Sequence, residues 1–190
     1  MALSSLREPR SAAVFLDKDG TLVENVPYNV DSAKVRLVPG AAGCVAALRA
    51  HGLKVIVVSN QPGVAMGLFG ESALHEVGKE IERQLGLRLD GFYYCMHRPE
   101  AGCRCRKPQP GMLLRAAREH GVRLSASWMV GDILDDVEAG RRAGCRTVLV
   151  DNGNETEWKP GAAREPDCTA PGLAEAAAHI LGTLSFRDAA

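Results

Sequence analysis

Five short runs of apolar, largely β-branched residues punctuate the chain: AAVFLD (Ala12 to Asp17), KVIVVSN (Lys54 to Asn60), GFYYC (Gly91 to Cys95), SWMVGD (Ser127 to Asp132) and RTVLVD (Arg146 to Asp151). They are short and nearly continuous in their apolar character, as strands buried on both faces of a parallel sheet are. Between them, apolar positions recur at helical spacing over Ala41 to Ala50, Ser72 to Leu85, Gly111 to His120 and Asp135 to Ala143, and an alanine-rich segment follows over Leu173 to Leu181. Gly52, Gly86, Gly121 and Gly144 each follow a predicted helix end, where a left-handed residue closes the last turn. Strand alternating with helix predicts a doubly wound α/β domain around a parallel central sheet.

At 190 residues the chain is long enough to bury one core without disulfide support. Residues 12–183 are expected to form that single domain, between a flexible tail over 1–11 and a short tail over 184–190. The Pro/Gly/Ala-rich stretch from Lys159 to Gly172 is expected to be a surface excursion before the last helix. Lys plus Arg and Asp plus Glu are equal at 23 each, so no global field draws nucleic acid or an anionic membrane, and neither is expected as a partner. No apolar run approaches the roughly 18 residues of a membrane span, and MALSSLREPRSAA lacks the apolar core of a leader peptide, so a cytoplasmic monomer is expected.

In open α/β sheets the ligand crevice lies beyond the carboxyl ends of the strands. Three strand ends here are polar: Asp17-Lys18-Asp19-Gly20-Thr21, Ser59-Asn60-Gln61-Pro62-Gly63 and Gly131-Asp132-Ile133-Leu134-Asp135-Asp136. Each alone is an ordinary turn or helix entry. Together they would bring Asp17, Asp19, Asp132 and Asp136 to one rim, and two carboxylates about 4 Å apart repel by roughly 4 kcal/mol at an effective dielectric of about 20. A cation is required there. An all-oxygen site with few protein ligands suits Mg²⁺, which keeps waters and takes further oxygens from a phosphate. Lys107, on a separate loop, adds a second positive charge.

These segments resemble the four ordered motifs of the haloacid dehalogenase superfamily of phosphohydrolases: DKDGT the first, Ser59 the second, Lys107 the third and GDILDD (Gly131 to Asp136) the fourth. The likeness spans about Val14 to Asp151 and implies a Rossmann-like domain. It implies Asp17 as the nucleophile that forms an aspartyl phosphate, and Asp19 as the acid that protonates the leaving alcohol and then activates water. Ser59 and the main chain around Asn60 would hold phosphoryl oxygens while Lys107 neutralises their charge. Magnesium would be held by Asp17, the main-chain carbonyl of Asp19, and Asp132, with Asp136 supporting Lys107 or the metal's waters.

Three of the six cysteines fall with a histidine in CMHRPEAGCRCRKP, as Cys95, His97, Cys103 and Cys105. Four soft or borderline ligands complete a closed tetrahedral Cys₃His set, which leaves no place for water and marks a structural zinc; the competing reading is a loop of reactive thiols. Such a clamp would deliver Arg106 and Lys107 to the crevice directly after its last ligand. Cys44, Cys145 and Cys168 are scattered and read as inert.

The zinc loop ahead of RKPQPG (Arg106 to Gly111) narrows the resemblance to the subgroup containing heptose 1,7-bisphosphate 7-phosphatases and histidinol-phosphate phosphatases. SNQPGVAMGLF, DGFYYCMHRP and KPQPGMLL are more similar to the heptose branch, implying a Mg²⁺-dependent phosphomonoesterase acting on the 7-phosphate of a heptose bisphosphate. Histidinol phosphate or a broader pool of sugar phosphates is the alternative, and a non-catalytic phosphate-binding module a distant third. Met66 and Ile133 stand where relatives often carry basic residues. No segment between the motifs is long enough for a separate cap domain, so loops such as Glu24 to Arg36, with Tyr28 and Asn29, together with Asn60 and Arg106, are expected to contact the sugar. Asn152 to Pro160 has no assignable role, and Trp158 reads as a surface or packing anchor.

Overall fold

A computed structural model of the protein describes residues 11–188. Six strands form one sheet: β1 (Ala13–Leu16), β2 (Lys54–Asn60), β3 (Gly91–Cys95), β4 (Trp128–Gly131), β5 (Arg146–Val150) and β6 (Cys168–Ala170). Their order is β3-β2-β1-β4-β5-β6 and every pairing is parallel. The chain winds outward from β1 to β3, then returns to place β4 on the other side of β1. The switch between the two directions therefore opens between β1 and β4, where ligands settle in sheets of this kind.

The helices are α1 (Ala41–Ala50), α2 (Glu71–Leu85), α3 (Gly111–His120), α4 (Leu134–Ala143) and α5 (Leu173–Asp188). Strand alternation sorts the sheet into two cores. Val14, Leu16, Val55, Val57, Trp128 and Val130 pack with residues of α1, α2 and α5, whereas Ala13, Phe15, Ile56, Val58 and Met129 pack with α3 and α4. Each fully buried large side chain contributes about 1.5–3 kcal/mol, and β1, β2 and β4 are buried on both faces, so the strands that carry the polar ends are anchored in the core.

Two expectations are corrected. The stretch from Lys159 to Gly172 is more than an excursion, because it carries a 3-10 turn at Ala162–Arg164 and the sixth strand, β6, which pairs with β5. The last helix runs to Asp188, past the end expected near Leu181 and the boundary placed at residue 183. The tail expected over 1–11 lies outside the described residues except for Ser11, which bridges to Val122. Among the described residues nothing forms a cap over the strand ends, and no helix is long and apolar enough to cross a membrane.

Candidate active site

Asp17 follows β1 directly, and its main-chain N–H donates to the Val130 carbonyl at 2.9 Å, so the ladder between β1 and β4 fixes the residue at the switch point. Asp132 follows β4 on the opposite side. Carboxylate oxygens of Asp17, Asp132 and Asp136 all lie within 4.8 Å of one another, and all three residues are buried. Gly131 makes this approach possible, since a Cβ there would fall 2.2 Å from the Asp136 carboxyl carbon.

Lys107 is driven into this acidic cluster. Its ammonium pairs with Asp17, lies 2.6 Å from Asp136 and donates to the Val58 carbonyl at 3.0 Å. Burial works against the charge, but Asp136 and Asp17 hold Lys107 protonated, above the ordinary lysine range. Asp136 is raised by burial, against the pull of Lys107. Asp132 is pushed up to about 6, by burial first and then by the Asp17 charge.

Asp19 lies on the other flank. Lys18 Nζ donates to its Oδ1 at 2.7 Å and Gln61 Nε2 to its Oδ2 at 2.9 Å. Burial raises its carboxyl, Lys18 opposes the rise, and the Asp17 charge adds to it. The same Gln61 nitrogen donates to Ser59 Oγ at 2.9 Å, and the Gln61 main-chain N–H donates to the Cys95 carbonyl at 2.7 Å. One amide thus joins the β1 acid to the hydroxyl that ends β2.

The fit to a divalent cation follows from charge. Among the described residues Asp17, Asp19, Asp132 and Asp136 meet Lys18 and Lys107 as their only ion-pair partners, so with all four ionised two negative charges are left over in a largely buried, all-oxygen setting. A metal of charge +2 matches that residue of charge and the hardness of the donors.

The cysteine loop closes as a cluster. Cys105 Sγ lies 3.3 Å from Cys95 Sγ, 3.5 Å from Cys103 Sγ and 3.2 Å from His97 Nδ1, and Cys95 Sγ is 3.6 Å from both Cys103 Sγ and His97 Nδ1. A tetrahedron with metal–sulfur bonds of about 2.3 Å has edges of about 3.8 Å, so these four atoms are spaced nearly as zinc would hold them. The loop then passes through Arg106 and Lys107 before turning into α3, where Gly111 N–H donates to the Arg104 carbonyl at 3.0 Å. Arg106 Nη1 is buried without a hydrogen-bond partner, a donor that an anionic ligand would satisfy.

The other residues singled out in the sequence are placed as follows. The Asn60 side chain spends its amide on Lys107, accepting from its main-chain N–H at 3.0 Å and donating to its carbonyl at 3.1 Å. Tyr28 and Trp158 are both more than half exposed, and neither has a hydrogen bond to the acidic cluster. Conversely, Gln61, Asn152 and Asn154 carried no assignment from sequence, although Asn152 Nδ2 donates to the Gly20 carbonyl at 2.6 Å and Asn154 Nδ2 to Asp132 Oδ2 at 2.7 Å.

Comparison with known proteins agrees with this geometry. The HAD-hydrolase-like family profile matches residues 104–176. D-glycero-beta-D-manno-heptose-1,7-bisphosphate 7-phosphatase of Photorhabdus laumondii is 39% identical over 74% of this chain and 81% of its own, and that of Escherichia coli K12 is 37% identical over 74% and 80%. The crystal structure of D,D-heptose 1,7-bisphosphate phosphatase from B. bronchiseptica, complexed with magnesium and phosphate, superposes with a TM-score of 0.81 at 32% identity, over 90% of this chain and 99% of that one. Identity at this level across most of both chains goes beyond a shared architecture: the chain belongs to the haloacid dehalogenase-like hydrolases, in the branch of the heptose bisphosphate phosphatases.

Proposed function

We propose that the protein is a Mg²⁺-dependent phosphomonoesterase that removes the 7-phosphate of D-glycero-D-manno-heptose 1,7-bisphosphate through an aspartyl phosphate. The observation that carries the reading is the pairing of Asp17 with the Lys107 ammonium, beside an Asp132 that has no cationic partner among the described residues. A carboxylate so held presents an oriented oxygen to phosphorus, next to charge for the phosphoryl oxygens.

In this reading Asp17 attacks phosphorus, and Asp19 gives a proton to the departing sugar oxygen. Asp19 then accepts a proton from the water that cleaves the acyl phosphate, returning Asp17 as a carboxylate. The raised carboxyl of Asp19 suits a group that must carry a proton in one half of the cycle and release it in the other. Ser59 and the main chain at Asn60 receive the phosphoryl group, with Arg106 as a further cation. Asp17, Asp132 and the Asp19 carbonyl would hold Mg²⁺, which supplies positive charge to the phosphoryl oxygens. Cys95, His97, Cys103 and Cys105 would hold a structural zinc that fixes the loop bearing Arg106 and Lys107.

Phosphate release from heptose 1,7-bisphosphate, histidinol phosphate and simple hexose phosphates tests both levels of the reading, with Asp17→Asn as control. A clear preference in kcat/KM for the heptose substrate is expected, together with no turnover by Asp17→Asn. Equal release by Asp17→Asn would remove the nucleophile, and equal efficiency on all three substrate types would remove the heptose assignment.

A further inference from the structure

We propose that Asn154 is a positioning residue for Asp132, and that the turn from Asn152 to Asn154 sets the affinity of the site for its divalent cation. The inference rests on the reading that Asp132 is a ligand of that cation.

Asp132 differs from the other acids of the cluster. Asp19 is paired with Lys18, and Asp17 and Asp136 with Lys107, but the two oxygens of Asp132 meet only neutral donors: Thr21 Oγ1 at 3.1 Å on Oδ1 and Asn154 Nδ2 at 2.7 Å on Oδ2. A neutral donor fixes the plane of a carboxylate without cancelling its charge, whereas a lysine or arginine in that place would compete with a metal for it. Each carboxylate oxygen keeps a second lone pair, so an oriented Asp132 remains able to ligate.

Asn154 is itself held by a small built structure. Its main-chain N–H donates to Asn152 Oδ1 at 3.2 Å, and Gly153 between them takes a left-handed φ of 87°. A turn of this type requires only that one bond. Here the two side-chain amides also reach outward, to different loops of the site: Asn152 to the carbonyl of Gly20 after β1, and Asn154 to Asp132 after β4. The next residue, Glu155, accepts from the Leu134 main-chain N–H at 2.6 Å and closes the N-terminus of α4. Gly20 is packed against the same two groups, since a Cβ there would fall 2.1 Å from Asp132 Oδ2 and 2.4 Å from Asn154 Nδ2. The loop after β5 thus ties together both sides of the switch point from behind.

Partners that orient a metal ligand typically contribute 10- to 100-fold to metal affinity. The test is calorimetric titration of Mg²⁺ into the full chain without substrate, comparing wild type with Asn154→Ala, Asn154→Leu, Asn152→Ala and Asp132→Asn, each first shown by its melting curve to be folded. Asn154→Ala and Asn154→Leu are expected to raise the Mg²⁺ dissociation constant by about 10- to 100-fold. Asn152→Ala should raise it less, because Asn154 keeps its own amide. The half-saturating Mg²⁺ concentration in turnover should rise by the same factor, with excess Mg²⁺ recovering the loss. If Asn154→Ala fails to fold, Asn152→Ala carries the test. Mg²⁺ affinity within twofold of wild type in the folded variants overturns the proposal. Affinity that survives in Asp132→Asn overturns the metal-site reading beneath it, which separates the two failures.

Discussion

Asn60 and Lys107 hold each other by exchanging two hydrogen bonds across 47 residues of sequence, with the Asn60 side chain closing on the main chain of Lys107. The end of β2 thereby fixes the residue whose ammonium meets both Asp17 and Asp136. Replacing Asn60 with Ala should lower kcat/KM by about 30-fold, the equivalent of roughly 2 kcal/mol for two part-buried hydrogen bonds, while the fold is retained. Steady-state kinetics beside a melting curve would check this, and an unchanged kcat/KM would show that the zinc loop alone places Lys107.

Lys107 holds two buried carboxylates, so its loss is felt in stability as well as turnover. Lys107→Met should destabilise the metal-free protein by about 3–5 kcal/mol, because Asp17 and Asp136 keep their burial and lose their counter-ion. Adding Asp136→Asn should restore part of that stability and none of the activity. Denaturant unfolding of the single and double variants measures both statements.

The raised carboxyl of Asp132 makes the metal-free protein sensitive to pH. Its folded value of about 6 lies above the ordinary aspartate value of about 3.9, so the folded state holds a proton that the unfolded chain has released. The stability this contributes is complete below about pH 4 and is lost as pH rises through about 6. Mg²⁺ requires the ionised form, so its stabilising effect should be small at pH 5 and large at pH 7.5. Melting curves across that range, with and without Mg²⁺, would contradict this account if the Mg²⁺ increment were independent of pH.

The two metals should fail differently. Removing Mg²⁺ is expected to stop turnover reversibly and leave the zinc loop ordered. Stripping zinc, or replacing Cys103 with Ser, is expected to loosen the stretch from Cys95 to Lys107 and raise KM. Hydrogen exchange over that stretch, beside kinetics at fixed Mg²⁺, distinguishes the cases, and zinc removal without effect on either would end the scaffold interpretation.

Most of the framework was legible because it depends on local pattern. The first five strands and the first four helices follow from apolar runs and their glycine stops, with ends displaced by a residue or two, as for α2, which begins at Glu71 rather than Ser72; α5 runs on to Asp188, past its expected end at Leu181. β6 was not legible: its three residues, Cys168–Ala170, sit among Pro and Gly and become a strand only because β5 offers an edge to pair with. The acids announced themselves through their motifs, and the Cys/His cluster through its spacing. Asn152 and Asn154 had no such signal, since their partners lie 132 and 22 residues away and any Asn-Gly-Asn reads equally well as a plain turn. Gln61 could have been found from its place after β2, although nothing local says that its amide bridges Asp19 and Ser59.

The rim left uncovered above the strand ends bears on what happens after phosphoryl transfer. Enzymes that close over an acyl phosphate choose their acceptor by shutting out competitors. No closing element stands over the strand ends among the described residues, so access to the buried Asp17 is limited by local side chains and not by a lid, and in the proposed mechanism a small alcohol would reach the acyl phosphate by the same route as water. Under that mechanism, the partition between hydrolysis and transfer to another hydroxyl would be governed by acceptor concentration and by what Asp19 deprotonates, so the same uncovered rim would permit phosphoryl transfer to alcohols.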